Sequence, residues 1–134
     1  SQMNRTKLDS DEWVFLEGLL CYDRWVSDFE SPAKTRGPGD SYCHGVYRST
    51  HRAAAGFLTE IAPKHPTMQQ YLLAAADHFT KEANILDSGE AMLSWKAPEG
   101  PDVDRNQRTA DLLRMARSEY AAGIASIEMA LASM

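Results

Sequence analysis

Apolar residues recur at alternating spacings of four and three from Phe15 through Leu19, Tyr22, Val26 and Phe29. One such stripe predicts an amphipathic helix over residues 10–29. Leu16 and Leu20 widen the stripe, while Glu17, Asp23, Arg24 and Asp28 fall largely outside it. Asp9 and Glu12 form a start signal in which each side chain can satisfy a free backbone N–H. Ser31-Pro32 and Gly37-Pro38-Gly39 then stop the helix and read as a loop without periodicity.

A second helix is expected from Asp40 or Ser41, either of which is a good N-cap, to Ala62 before Pro63. Its inward set reads as Tyr47, Thr50, Ala54, Phe57, Leu58 and Ile61. The short Pro63-Lys64-His65-Pro66 turn sets a third helix antiparallel beside it. Thr67 and Gln70 offer a capping pair there, and Met68, Leu72, Ala75, Phe79, Ala83 and Leu86 form its stripe. Asp87-Ser88-Gly89 ends it, and Glu90 to Trp95 predicts one short extra helical turn in the third connection. The last helix is expected over residues 104–131, with Leu112, Leu113, Ala116, Tyr120, Gly123, Ile124, Ile127 and Leu131 inward. Ala121, Ala122, Gly123 and Ala125 keep it thin, and close packing is the natural compensation for the cost of about 1 kcal/mol of a mid-helix glycine. No stretch alternates with period two. The fold class is therefore all-α, an antiparallel four-helix bundle forming one domain over residues 1–134.

At 134 residues the chain can bury a core without disulfides or a structural metal. A formal charge of −5 and a pI near 5.3 provide no basic field for a phosphate backbone, so nucleic acid is not expected as a partner. The longest apolar run, Trp13 to Tyr22, carries Glu17 and is far short of a membrane span. With no export signal in view, a reducing, cytoplasmic setting is expected. Cys21 and Cys43 are too few for a disulfide framework and read most simply as small buried hydrophobes.

Candidate chemistry concentrates between Tyr42 and His51. His44, Tyr47 or Arg48, His51, Ala55 and Leu58 share one side of the second helix, next to the core stripe. That places His44, Tyr47, Arg48 and His51 at the rim of the bundle, where Tyr22, Trp25, Trp13, Tyr71 and Trp95 can supply apolar walls. Arg48 or Arg52 can hold a carboxylate or phosphate. Taken singly, each has a plainer role: histidines as hydrogen-bonded boundary residues, arginines in surface ion pairs, tryptophans at the core edge. His44 and His51 are seven apart, about 10.5 Å of rise, too far to share an ion directly. Neither H-E-x-x-H, the Glu-x-x-His of di-iron bundles nor C-x-x-C occurs, so no metal ligands and no cofactor are assigned. Cys43 in the first turn of a helix is a candidate nucleophile with His44 or His51, but no oxyanion-hole motif accompanies it. Asp77-His78 reads as a solvated face, and Gly37-Pro38-Gly39 as a flexible loop rather than an anion cradle.

The stretch Tyr47-Arg48-Ser49-Thr50-His51-Arg52-Ala53-Ala54-Ala55-Gly56-Phe57-Leu58-Thr59-Glu60-Ile61 resembles a pattern in uncharacterised bacterial helical domains. Ala74-Ala75-Ala76-Asp77-His78-Phe79, Ala110-Asp111-Leu112-Leu113 and Ile127-Glu128-Met129-Ala130-Leu131 extend the resemblance over most of the chain after Tyr42. Such domains occur alone or C-terminal to butirosin-type acyltransferase-like domains. The resemblance implies a helical companion or ligand-binding module and carries over no catalytic residue.

The expected function is non-catalytic binding of a small organic ligand near the N-terminal half of the second helix, by Tyr22, Trp25, His44, Tyr47, Arg48 and His51. The alternatives are a homodimerisation module, with Trp95, Met92, Met129 and Met134 covered by a second copy, and a Cys/His-dependent enzyme.

Overall fold

A computed structural model describes the chain from Ser10 to Met134, with side chains from Gly18 onward. The expected start signal at Asp9 and Glu12, and the side chains of Trp13, Phe15, Leu16 and Glu17, lie outside the described residues. Among those described, the chain is all helical, with four long helices and one short one. None is long and apolar enough to cross a membrane.

Helix α1 spans Ser10–Phe29 and buries Tyr22, Trp25, Val26 and Phe29, which return to one face every three or four residues. Leu20, expected to widen that stripe, faces solvent. Helix α2 spans Pro38–Ile61 and starts two residues before the expected cap. Gly37 is the N-cap, Pro38 supplies a pre-set φ at the first helical position, and Asp40 at the third turns back to accept the Gly37 N–H at 2.7 Å. Asp40 thus closes the helix start from inside the first turn, and Gly37-Pro38-Gly39 is helix entry rather than loop. A 3-10 turn, Ala62–Lys64, carries the chain over Pro63.

Helix α3 spans Gln69–Ser88. Its entry is built by backbone turns, Met68 N–H to His65 O at 2.9 Å and Tyr71 N–H to Met68 O at 3.0 Å, and the expected Thr67/Gln70 side-chain cap does not form. Leu72, Ala75, Phe79, Ala83 and Leu86 are buried as the pattern requires. The extra turn is α4, Glu90–Leu93. Helix α5, Val103–Ala132, begins at Asp102, whose Oδ1 accepts the Arg105 N–H at 2.9 Å. Leu131 is exposed and Ala130 takes the inward position in the last turn. Trp95, Met129 and Met134 are also exposed, and Met92 is half-buried.

The inward face of α2 differs most from expectation. Asp40, Ser41, His44, Ala55 and Leu58 are buried, whereas Thr50 is exposed and Phe57 is 60% exposed. The helix is turned by roughly a quarter turn, so that the side assigned to the rim is the packing side.

Backbones approach most extensively between α3 and α5, then between α2 and α3 and between α1 and α5. The α3–α5 approach is close because Gly123 lies under the Phe79 ring: a Cβ there would come within 2.5 Å of Phe79 Cε1. His44 meets Leu86 and His51 meets Glu82; Asp23 meets Arg117 and Glu30 meets Arg114; Gly89 meets Leu112 and Gly123 meets Phe79. In each pair of helices the numbering rises on one as it falls on the other. No comparable backbone approach joins α1 to α2 among the described residues, and a cleft opens along that seam. Its lower edge is the 30–37 connection. Asn106 Nδ2 ties that segment down by donating to Lys34 O at 2.9 Å, and the buried Arg36 donates to Ser41 Oγ at 2.7 Å and Ala97 O at 3.2 Å.

Candidate functional site

Glu82 sits in the middle of the apolar stripe of α3, three residues after Phe79 and four before Leu86, and is 0% exposed. Its Oε2 accepts a hydrogen bond from the Tyr22 hydroxyl and another from His51 Nδ1 at 2.7 Å. A carboxylate oxygen only accepts, which places a proton on Nδ1 of His51. The second oxygen, Oε1, is buried without a hydrogen-bond partner among the described residues. Rings enclose the group: His51 stacks on Tyr120 with centroids 5.0 Å apart and lies 5.1 Å from Tyr47, while Tyr22 meets Tyr47 edge-on at 5.4 Å. All four long helices contribute, so a polar centre is set in the least polar part of the fold.

Burial, followed by the adjacent Glu82 charge, pushes the Tyr22 hydroxyl far above the ordinary tyrosine range. Burial and then the Cys21 bond raise Tyr47, and burial and then Glu82 raise Tyr120. Below about pH 10 these hydroxyls are neutral both folded and unfolded, and they add no pH dependence. Above it the unfolded chain releases protons that the folded chain retains, so stability falls as pH rises. Urea midpoints measured from pH 8 to 11 should drop at the alkaline end, and Tyr22→Phe should flatten that drop. A midpoint that stays level to pH 11 would contradict the burial of these hydroxyls.

The six residues expected to bind the ligand separate into four groups. Tyr22 and His51 belong to the Glu82 centre. His44 is 1% exposed and donates Nε2–H to Leu86 O at 2.6 Å, fastening the start of α2 to the end of α3. Arg48 and Arg52 converge on Asp87 at 3.2 Å and 2.6 Å along the outer edge of the same helices.

Trp25 and Tyr47 alone of the six face the cleft between α1 and α2, which has a volume of about 310 Å³. Their rings are edge-on at 5.9 Å, and Cys21 and Cys43 complete the apolar wall. Trp25 Nε1–H donates to Asp40 Oδ1 at 2.9 Å, and Lys34 Nζ lies 2.9 Å from Asp40 Oδ2. Asp40 therefore caps α2, fixes the indole and neutralises Lys34 at once. Arg24 and Asp28 stand at the exposed rim. A second hollow of about 370 Å³ joins the end of α1 to the start of α5, but its cation, Arg114, is engaged by Glu30 and Asp111.

Cys43 is not activated by its helix start. Burial pushes its thiol up, and the neighbouring Cys21 and Asp40 charges add to that. Among the described residues neither histidine bonds it, since His44 is committed to Leu86 and His51 to Glu82. No three His, Cys, Asp or Glu side chains among the described residues group as metal ligands would. His78, read as part of a solvated pair with Asp77, is half-buried and bonds Glu119 at 2.8 Å.

Neither Glu82 nor Asp40 stood among the expected site residues, and Asp40 was expected only as a helix cap. Glu82 had left a signal, because a carboxylate at an i+3/i−4 position inside an apolar stripe needs a buried partner. Asp40 left none, since its bond to Trp25 joins two helices. The chain matches no family model, no curated protein and no solved structure.

Proposed function

We propose that the chain is an antiparallel four-helix bundle that binds a small organic molecule, without catalysis, in the cleft between α1 and α2. The opposed numbering across the three packed helix pairs supports the bundle. The observation that carries the binding function is an aromatic-walled cleft of about 310 Å³ whose polar groups gather at its rim. Apolar walls with a few polar groups are the usual makeup of small-molecule sites, and this volume is at the lower end of their range. The Glu82 centre lies behind Tyr47 and Tyr22, where its hydrogen bonds hold the aromatic wall in place rather than meet the ligand. A ligand-binding helical module also accords with the resemblance noted above.

Ligand-detected NMR with a metabolite panel tests the proposal. Hits should compete with one another, and Cys43→Phe, which fills the cleft with a ring, should abolish them while leaving the melting temperature within about 5 °C, the scale of a roughly 1 kcal/mol change. Hits that survive this substitution would place binding elsewhere, and an empty screen would remove the function.

A further inference from the structure

Charge at the mouth of the cleft is unevenly used. Asp40 and Lys34 answer each other at 2.9 Å, and the remaining capacity of Asp40 goes to Trp25 and the Gly37 N–H. Arg24 and Asp28, also on the cleft, take part in no ion pair among the described residues. They are four apart on α1 and so project from one face, one turn from each other. Pairs of the same separation do close elsewhere: Asp77 with Lys81 at 2.9 Å and Asp104 with Arg108 at 3.0 Å. In those the acid precedes the base, the favourable order on a helix, whereas Arg24 precedes Asp28, the weaker one. The sequence order thus leaves one cation and one anion side by side above an aromatic wall.

We propose, resting on the binding function of this cleft, that its ligand is an amino-acid-type zwitterion. The ligand's apolar or aromatic side chain packs on Trp25 and Tyr47, its carboxylate pairs with Arg24 and its ammonium with Asp28. A simple acid or amine would satisfy one rim charge and leave the other facing a ligand that cannot answer it. A zwitterion satisfies both and adds no net charge to a rim that is already balanced. The guanidinium fork of Arg24 suits the two oxygens of a carboxylate. The small side chains of Cys21 and Cys43 leave room beside the two rings for a single aromatic side chain.

Calorimetric titration of the full chain with L-phenylalanine, 3-phenylpropionate and phenethylamine decides this. L-Phenylalanine should bind at least tenfold more tightly than either singly charged analogue. Arg24→Gln should bring it down to the affinity of phenethylamine while leaving phenethylamine itself unchanged. Asp28→Asn should do the same with respect to 3-phenylpropionate. Both side chains are exposed, so each variant should keep the parent melting temperature. Equal binding of the three probes, or an Arg24→Gln variant that binds L-phenylalanine as the parent does, overturns the zwitterion. So does a panel hit that Cys43→Phe abolishes when none of the three probes binds; wherever Cys43→Phe abolishes binding, the cleft itself stands. If neither the probes nor the panel bind, the cleft falls as well.

Discussion

Glu82→Ala should lower the stability of the fold by about 2–6 kcal/mol, at about 1–3 kcal/mol for each of the two donors it leaves without an acceptor. The reason is local. The Glu82 carboxylate is 0% exposed and is the acceptor for both the Tyr22 hydroxyl and His51 Nδ1. Truncation leaves those two donors facing aromatic rings with no acceptor, and it opens a void between α3 and α1. Glu82→Gln keeps an acceptor oxygen and nearly the same shape, and should lose less than alanine does. Urea unfolding of both variants gives the comparison, and a double-mutant cycle with Tyr22→Phe gives the Tyr22–Glu82 coupling. An alanine variant within about 1 kcal/mol of the parent, below the cost of one unsatisfied buried donor, would mean that Glu82 is not the polar centre of the core.

At Gly123 the expected effect has the opposite sign from the helix-propensity rule. Alanine in a helix interior normally stabilises by about 1 kcal/mol over glycine. Here the new Cβ would come within 2.5 Å of Phe79 Cε1 and 2.9 Å of its Cδ1. The ring must move in a packed α3–α5 interface, and overpacking of this kind costs about 1–3 kcal/mol. Gly123→Ala should therefore destabilise, and in a Phe79→Leu background most of the penalty should disappear. Gly56 on α2 provides the control, since nothing lies within 4 Å of a Cβ built there. Gly56→Ala should stabilise by about 0.5–1 kcal/mol. If both glycines respond alike in thermal melts, the close approach at Gly123 is wrong.

Both predictions concern positions that a sequence reading treats differently. Gly123 was legible: a glycine among Ala121, Ala122 and Ala125 announces a thin helix, and the Phe79 contact is its counterpart. Glu82 was half legible, because its spacing from Phe79 and Leu86 put a carboxylate on the core stripe without naming the groups that would meet it. The binding residues were legible in part. Trp25 and Tyr47 face the cleft between α1 and α2, while His44 and Arg48 are spent on α3.

The number of long helices among the described residues, the places where they stop, the extra turn after Gly89, and the inward faces of α3, of most of α5 and of the described half of α1 were legible in the sequence. Each depends on neighbours within about four residues: proline and glycine interruptions, or a stripe of apolar side chains with one clear direction. Which side of α2 faces inward was settled by contacts far apart in the chain. Periodicity points that helix elsewhere: Val46, Tyr47, Ala53, Phe57 and Ile61 fall within about 120° of its circumference, yet Phe57, near the middle of that arc, is 60% exposed. The choice was made by groups on α3, the Glu82 carboxylate and the Leu86 carbonyl, which hydrogen-bond His51 and His44 and turn a polar-looking face into packing surface. A histidine counts as polar until its partner is known, and here the partners lie 31 and 42 residues further along the chain.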